Sequence, residues 1–389
     1  MAEGTVSPPR PLYYGMIGGG PGAFIGDVHR RAIALDPNTQ LVAGVFSRNH
    51  DASLETARSL LLDESRVYAD YQSMAKAEAD REDGIDFVVI VTPNVSHFEI
   101  AKAFLEAGIH VVCDKPLATE LSDAEALGEL VKKSGLLFGV TYTYTGYPTV
   151  KRAREMVRGG ELGKIRFVNA EYPQEWLAQR SEDEEGNRQA AWRTDPSQSG
   201  KSNCVGDIGT HIENMVSYVT GLEIDRLSAR LDSFVEGRTL DDNATIMVDY
   251  KGGARGLYWS SQIAIGRDNG LRVRIFGEKG AVEFFQEDPN HITVSSLEGP
   301  TQIISRGRDS LGGRGDSLVR VPAGHPEGYF EAFANIYKTF AGALRKRISG
   351  EALTEADMDF PRVADGIQGV RFVTRVVESN ENGSSWTKF

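Results

Sequence analysis

Residues 12–29 read LYYGMIGGGPGAFIGDVH and predict a strand, a glycine-rich turn and the start of a helix. Gly18 and Gly20 allow a tight turn, because glycine adopts backbone angles that a Cβ would forbid. They also leave room for an anion at the helix N-terminus, where free N–H groups and the helix dipole attract phosphate. Gly26 lets the helix pack close to the strand. The stretch predicts the phosphate-binding start of a dinucleotide-binding βαβ unit, the alternative being a glycine loop without a ligand.

The glycine-rich turn is longer than a plain GxGxxG pattern, because residues 21–24 come before Ile25 and Gly26. We therefore include the first residues of the helix in the predicted cofactor site. We expect the cofactor to contact Gly18, Gly20, Phe24 and Ile25.

The composition limits the class of protein. A chain of 389 residues exceeds one ordinary core and predicts two domains. A formal net charge of −12 argues against nucleic acid as the main partner. No apolar run approaches the roughly 20 residues that span a bilayer, and the N-terminus lacks the apolar segment of a signal peptide. The chain has only two cysteines, Cys113 and Cys204, so we expect a reducing compartment and a cytoplasmic location. Because no apolar run is long enough to span a bilayer, we expect no membrane partner.

A second strand is predicted at residues 41–46, and Ser47 and Arg48 follow it. In this type of unit, the end of the second strand meets the adenosine ribose of the cofactor. A hydroxyl and a guanidinium suit the 2′-phosphate of NADP, whereas an acidic residue would bind the 2′-hydroxyl of NAD. The pair favours NADP. Asp51 lies close by, and its carboxylate would suit the 2′-hydroxyl of NAD, so NAD stays an alternative. A second alternative is that Arg48 is a solvated surface charge and binds no ligand.

The run IDFVVIV at residues 85–91 is typical of a parallel strand that is buried on both faces. The turn that follows lies at the carboxyl end of the strand, where ligands of open α/β sheets bind. We expect Thr92 and Asn94 to contact the cofactor. His97 either contacts it as well or marks the start of the next helix.

The next predicted strand, residues 110–113, leads into Asp114-Lys115-Pro116. Lys115 therefore lies on the ligand edge of the sheet. Burial lowers the pKa of a lysine, and such an ammonium can orient or protonate a substrate oxygen. The alternative is a surface lysine in a loop.

Three motifs together resemble the Gfo/Idh/MocA oxidoreductases, the family of glucose–fructose oxidoreductase and inositol 2-dehydrogenase. They are GGG…IGDVH, TPN…H and DKP, within residues 18–29, 92–97 and 114–116. The likeness covers nearly the whole chain. The usual family tripeptide is Glu-Lys-Pro, and Asp114 keeps its carboxylate, so we expect Asp114 and Lys115 at the cofactor.

The resemblance implies an α/β fold of two domains. Residues 1–143 would form a Rossmann dinucleotide-binding domain, and residues 144–389 an α+β domain with a large, mostly antiparallel open sheet. The exposed face of such a sheet typically packs on another subunit, so we expect a homo-oligomer, a dimer or a tetramer.

The second half carries the motif GDIGTHIENM, in which Asp207 and His211 are four residues apart. On a helix this spacing places both on one face. A carboxylate beside an imidazole raises its basicity and fixes its tautomer. A helix salt pair and half of a metal site are the alternatives, but no zinc-ligand spacing lies nearby and we expect no metal. By the resemblance, Lys115, Asp207 and His211 form the catalytic set.

Aromatic residues in the second half suit a carbohydrate, because ring faces stack on sugars while polar neighbours bind the hydroxyls. Trp176 and Trp192 are the aromatic candidates, and each also fits a core position. By the resemblance, Tyr144 belongs to the substrate site. Arg193 suits a polyol or a carboxylate, and His325 is a further candidate before a helix predicted from residue 325 to 344. We expect the substrate to contact Lys115, Tyr144, Trp176, Trp192, Arg193, Asp207, His211 and His325.

These residues predict an NAD- or NADP-dependent dehydrogenase. It would oxidise a secondary ring hydroxyl of a sugar, glycoside or cyclitol, or reduce the corresponding keto-sugar. His211 would remove the hydroxyl proton and Lys115 would steady the oxygen. The alternatives are an enzyme that uses a trapped NAD for transient oxidation, leading to glycoside cleavage or epimerisation, and a non-enzymatic dinucleotide-sensing regulator.

Overall fold

A computed structural model describes residues 10–308, 311 and 313–389 of the chain. The first half alternates strands and helices: β1 (Leu12–Gly18), α1 (Phe24–Ala34), β2 (Thr39–Val45), α2 (His50–Ser59), α3 (Tyr71–Ala79), β3 (Phe87–Val91), α4 (His97–Glu106), β4 (His110–Cys113), α5 (Leu121–Ser134) and β5 (Phe138–Val140). The five strands form one parallel sheet in the order β2-β1-β3-β4-β5. The order reverses between β1 and β3, and ligands of open α/β sheets bind at such a switch point.

The second half contains α6 (Pro148–Arg158), β6 (Ile165–Pro173), α7 (Arg188–Thr194), α8 (Pro196–Ser199), a π-helical turn (Val205–Gly209), α9 (Thr210–Thr220), β7 (Ile224–Asp232), β8 (Asn243–Tyr250), β9 (Arg255–Ser261), β10 (Arg272–Gly277), β11 (Gly280–Phe285), β12 (His291–Ser296), β13 (Gln302–Ser305), α10 (Gly313–Ser317), α11 (Tyr329–Ile348), α12 (Val363–Glu381) and β14 (Thr387–Lys388). Its sheet has nine strands in the order β13-β12-β11-β10-β6-β9-β8-β7-β14. Neighbouring strands are antiparallel except β6 and β9. The predicted fold class is confirmed.

The core of the first domain also takes residues from near the C-terminus. Phe333, Tyr337 and Phe340 of α11 pack in one apolar cluster with Tyr14 and Phe87 of the parallel sheet. The predicted division between residues 143 and 144 separates the two sheets along the chain. The core around the first sheet nevertheless includes side chains of this later helix. The helix begins at Tyr329 rather than at the predicted residue 325.

One face of the nine-stranded sheet carries exposed apolar side chains. Phe276 of β10 lies opposite Phe167 of β6, and these side chains are 42% and 39% exposed. Such a face favours packing against another surface, and the expected homo-oligomer stays a prediction. Among the described residues, every helix is too short or too polar to span a lipid bilayer.

Candidate active site

The glycine-rich turn between β1 and α1 is built on contacts that leave no room for side chains. Gly18 and Gly19 have φ angles of 90° and 76°, in the left-handed region that favours glycine. Gly20 does not have the predicted positive φ, but a Cβ there would lie 2.6 Å from the carbonyl oxygen of Phe46. A Cβ on Gly26 would lie 2.3 Å from the Cα of Gly19, so α1 packs directly on the turn.

The N-terminus of α1 suits an anion. Ala23 precedes the helix, and no described side chain caps the N–H groups of the first turn. These groups are the usual partners of a pyrophosphate in a βαβ unit. A groove of about 520 Å³ opens beside the turn, and Phe24, which is 63% exposed, lines it. The turn therefore fits the phosphates of a dinucleotide.

The loop after β2 leaves one cation available to a ligand. The hydroxyl oxygen of Ser47 accepts a hydrogen bond from the backbone N–H of Asn49 at 3.1 Å, so this hydroxyl shapes the loop. Arg48 is exposed and makes no hydrogen bond or ion pair with any residue that the structure describes. Of the two, Arg48 is the group that is free to meet a 2′-phosphate.

The loop after β3 is fixed from both domains. The amide nitrogen of Asn94 donates to the carbonyl oxygen of Ser199 at 3.2 Å, which ties this loop to the second domain. The hydroxyl oxygen of Thr92 accepts a hydrogen bond from the hydroxyl of Ser96 at 2.7 Å. Both predicted cofactor contacts thus lie at the carboxyl end of the parallel sheet, on a loop that the rest of the chain holds in place.

His97 does not offer a free ring nitrogen to a cofactor. The side chain is fully buried, with Nδ1 2.8 Å from the carbonyl oxygen of Pro116 and Nε2 2.8 Å from that of Thr92. Burial lowers its pKa. We correct the predicted contact: His97 joins the loop after β3 to the loop that carries Lys115.

Lys115 reaches from the first domain into the second. Its ammonium lies 2.7 Å from Oδ1 of Asp207 and 2.7 Å from the backbone oxygen of the same residue. The carboxylate of Asp114 accepts hydrogen bonds from the backbone N–H of Lys115 at 2.9 Å and from the hydroxyl of Thr141 at 2.7 Å. Asp114 thereby braces the loop that presents the lysine.

Asp207 is held by donors on both carboxylate oxygens. Oδ2 accepts hydrogen bonds from Nε2 of Gln262 at 2.9 Å and from Nε of Arg193 at 3.2 Å. Burial alone would raise the pKa of Asp207, but the charges of Arg193 and Lys115 hold it well below its usual range. The carboxylate is therefore ionised and fixed in orientation at neutral pH.

The expected pairing of Asp207 with His211 is not observed. Asp207 lies in the π-helical turn and His211 in α9, and no hydrogen bond joins them within the described part of the chain. Burial and then the charge of Lys115 lower the pKa of His211 well below its usual range, although Asp207 acts in the opposite direction. The carboxylate thus acts on the imidazole in the expected direction, but burial and the charge of Lys115 outweigh it.

Aromatic rings surround His211. The ring centroids of Tyr144, Tyr142 and Tyr172 lie 4.8, 5.6 and 6.1 Å from that of the imidazole. The hydroxyls of Tyr144 and Tyr172 are hydrogen-bonded to each other, and Tyr172 donates to Oδ1 of Asn269 at 2.6 Å. This arrangement accounts for the burial of the imidazole.

The guanidinium of Arg193 lies close to two indole rings. It is 4.3 Å from the ring centroid of Trp192 and 5.6 Å from that of Trp176. Because Arg193 also contacts Asp207, the structure brings the predicted aromatic and cationic residues to one place.

His325 is not brought to this place. The side chain is exposed, and its hydrogen bonds within the described residues are backbone contacts with Pro322 and Arg306. No contact of the structure supports its predicted role at the substrate.

Sequence reasoning missed two polar residues of the site, Gln262 and Asn269. Both lie in the segment between β9 and β10, after β9 ends at Ser261. Polar residues just after a strand are the one feature that points to them.

Comparisons with known proteins agree with this geometry. Residues 12–142 match the model of an oxidoreductase family with an NAD-binding Rossmann fold, and residues 150–283 match the GFO/IDH/MocA C-terminal domain. The oxidoreductase YfiI of Bacillus subtilis (strain 168), named as uncharacterized, is 36% identical over 98% of this chain and 97% of its own length. Levoglucosan dehydrogenase of Pseudarthrobacter phenanthrenivorans is 28% identical over 95% of this chain and 96% of its own.

A solved structure is similar over the whole chain. The inositol dehydrogenase homolog from Azotobacter vinelandii, complexed with NAD+, superposes with a TM-score of 0.93 at 37% identity and covers 100% of both chains. The chain therefore belongs to the Gfo/Idh/MocA family of oxidoreductases and carries an NAD-binding Rossmann domain.

Proposed function

We propose that the protein is an NAD(P)-dependent dehydrogenase that oxidises a secondary ring hydroxyl of a cyclitol or sugar, or reduces the corresponding ketone. The observation that carries the proposal is the contact between the ammonium of Lys115, at the ligand edge of the parallel sheet, and Asp207 of the second domain. A site shared by both domains is supported further by His211, whose pKa is lowered by burial and then by the charge of Lys115.

The surroundings of this contact support a polyhydroxylated ring as substrate. Trp176 and Trp192 offer apolar ring faces, while Arg193 and Asn269 offer hydrogen-bonding groups. Relatives over most of the chain are named levoglucosan dehydrogenase, and a structure similar over the whole chain is titled as an inositol dehydrogenase homolog with NAD+. Both names describe cyclic polyols or anhydrosugars.

Three segments of the first domain, one turn and two loops, would each hold a different part of the cofactor. We infer that the turn at residues 18–26 holds the pyrophosphate, that Arg48 lies at the adenosine ribose, and that Thr92 and Asn94 face the nicotinamide half. A bound nicotinamide would supply the acceptor for the hydride. The solved relatives contain NAD+ or NADH, whereas Arg48 favours NADP, so the proposal covers both.

The side chains then have separate tasks. The imidazole of His211 is neutral at pH 7, because burial lowers its pKa, and it can accept the hydroxyl proton. The ammonium of Lys115 donates a hydrogen bond to the substrate oxygen as negative charge develops there. Asp207 keeps that ammonium in place through two contacts of 2.7 Å.

The proposal is tested by turnover on a panel of ring polyols. The wild-type protein and the His211→Ala variant are assayed with NAD+ and NADP+ on inositols, levoglucosan, glucose and xylose, by the absorbance of the reduced nicotinamide. We expect turnover on at least one of these substrates and a loss of roughly a hundredfold or more in the variant. Wild-type turnover in His211→Ala would contradict the assigned roles. Cofactor retained in equal amount through purification, with no net reduction, would show transient oxidation instead.

A further inference from the structure

Gln262, the residue directly after β9, is fully buried and uses both ends of its side chain. Its amide nitrogen Nε2 donates to Oδ2 of Asp207 at 2.9 Å, and its Oε1 accepts from Nδ2 of Asn203 at 2.9 Å. Its backbone is held as well, since its N–H donates to the carbonyl of Asp242 at 2.9 Å and its carbonyl accepts from the N–H of Leu177 at 3.0 Å. One orientation of the side-chain amide satisfies its two contacts, and the backbone contacts hold the residue itself in place.

The direction of the Gln262 amide is set from outside the site. Nδ2 of Asn203 also donates to the backbone carbonyl of Asp241 at 3.2 Å, so the donor end of Asn203 faces Gln262. The carboxylate of Asp241 accepts hydrogen bonds from the backbone N–H groups of Asn203 and Val205, at 3.0 Å each. Because Oε1 of Gln262 meets a donor, only its N–H can face Asp207.

This N–H decides which way the carboxylate of Asp207 points. One oxygen contacts Lys115, and the other contacts Gln262 and Arg193. Arg193 makes the longer contact, at 3.2 Å, and its side chain is 20% exposed, whereas Gln262 is buried and anchored at both ends. Without the amide donor, Oδ2 would keep only the longer contact with Arg193, and the carboxylate would be able to rotate away from Lys115.

We propose that Gln262 is a positioning residue for the reaction: it fixes the carboxylate of Asp207 and through it the ammonium of Lys115. The inference rests on the proposed function, in which Lys115 meets the substrate oxygen. A displacement of about 1 Å in a catalytic group costs on the order of a hundredfold in rate. We therefore expect Gln262 to affect kcat much more than the KM of the cofactor.

The test compares Gln262→Met with Gln262→Glu. Methionine keeps a similar volume but cannot donate, so we expect a kcat roughly ten- to hundredfold lower at every pH. Glutamate repels Asp207 when ionised, but its protonated form donates to Oδ2 as the amide does. Burial and the charge of Asp207 both raise the pKa of such a group. Gln262→Glu should therefore exceed Gln262→Met in kcat and approach the wild type as the pH falls.

The matched control is Gln198→Glu. Gln198 also donates to an aspartate, Oδ2 of Asp195 at 3.0 Å, but Asp195 is only partly buried and has no hydrogen bond or ion pair with Lys115 in the described part of the chain. This variant should keep the wild-type pH profile. Melting temperatures measured on all variants show whether each is folded. If Gln262→Met does not fold, the inference is tested by the pH dependence of kcat in Gln262→Glu compared with the wild type.

The inference would be overturned if Gln262→Met had the kcat of the wild type. It would also be overturned if the kcat of Gln262→Glu, divided by that of the wild type, were constant at every pH and well below one. The Lys115→Met variant separates this failure from that of the proposed function. If Lys115→Met is inactive while Gln262→Met is fully active, only the positioning role is wrong. If Lys115→Met keeps wild-type turnover, the proposed function itself is wrong.

Discussion

The ammonium of Lys115 lies 2.7 Å from Oδ1 of Asp207, and both side chains are 14% exposed. The lysine follows β4 of the parallel sheet, and the aspartate precedes α9 of the second domain. The contact is therefore an ion pair across the boundary between the domains. It occurs where the carboxyl ends of the parallel strands meet the aromatic residues of the second domain.

Asp207→Asn removes the charge of this pair at almost constant volume. We expect kcat to fall roughly a hundredfold while the cofactor KM stays within about twofold, because the amide cannot hold both the ammonium and the two donors on Oδ2. Steady-state kinetics with the best substrate measure both constants. Asp288→Asn, at an exposed aspartate that pairs with His291, is the control and should behave as wild type. A fully active Asp207→Asn would remove the carboxylate from the account.

The imidazole of His211 should resist protonation. Burial and the charge of Lys115 lower its pKa well below 6.5, so its ring resonances should not titrate between pH 8 and pH 6. In Lys115→Met the remaining charge of Asp207 favours the imidazolium, and the midpoint should move upward. NMR titration of selectively labelled histidine measures the shift. The same midpoint in both proteins would show that the two groups do not interact.

Glu213 of α9 should make stability depend on pH. Burial raises the pKa of its carboxyl to about 8, although Gln368 donates to Oε1 at 2.5 Å. Between the ordinary value of about 4.5 and 8, the folded protein holds a proton that the unfolded chain releases, so stability falls as the pH rises.

Glu213→Gln removes this titration. We expect its melting temperature at pH 8 to exceed that of the wild type by at least roughly 2–4 °C, the shift that about 1 kcal/mol produces in domains of 150–250 residues. The difference should shrink toward pH 5. Glu298→Gln, at an exposed loop position, should change neither value. An unchanged pH dependence in Glu213→Gln would show that this carboxyl titrates normally in the folded protein.

Arg48 should discriminate between the two cofactors. Its guanidinium has no partner among the described residues, so a 2′-phosphate would be its first ionic contact. In Arg48→Ala we expect the Kd for NADP+ to rise roughly tenfold or more, since hydrogen bonds to charged groups contribute about 1.5–3 kcal/mol, while the Kd for NAD+ changes little. Calorimetry with both cofactors measures this, with Arg166→Ala on the second sheet as control. Equal effects on both cofactors would place Arg48 away from the ribose.

Gly26→Ala should disrupt the turn that precedes α1. Its Cβ would lie 2.3 Å from the Cα of Gly19, so the turn must move away from the helix. We expect dinucleotide affinity to fall at least roughly tenfold and the melting temperature to drop. Gly342→Ala in α11 is the control, because nothing lies within 4 Å of its Cβ position, and it should be neutral or slightly stabilising. Unchanged cofactor affinity in Gly26→Ala would argue against a phosphate at this turn.

Local patterns predicted the parts of the fold that depend on short stretches of chain. The apolar run at residues 85–91 contains β3, and the glycine-rich stretch contains the turn between β1 and α1. Local spacing did not predict that Asp207 and His211 lack a hydrogen bond to each other in the described part of the chain, because a spacing of four implies a shared face only on a regular α-helix. The π-helical turn at Val205–Gly209 changes the helical phase between them.

Local sequence patterns could not predict the contacts between distant segments of the chain. Gln262 reaches Asp207 across 55 positions of the chain, and nothing in the residues around Gln262 indicates this partner. The packing of α11 on the first sheet likewise depends on how the chain returns after the second sheet. Such relationships follow from the three-dimensional path of the chain and not from periodicity or composition.

The most direct test of the account is the single-turnover rate of hydride transfer in Lys115→Met, with saturating cofactor and the best ring polyol. We predict that this variant binds the cofactor with wild-type affinity and transfers hydride at least roughly a hundredfold more slowly. A rate equal to that of the wild type would contradict the claim that the Lys115 ammonium, held by Asp207 across the domain boundary, serves the reacting oxygen.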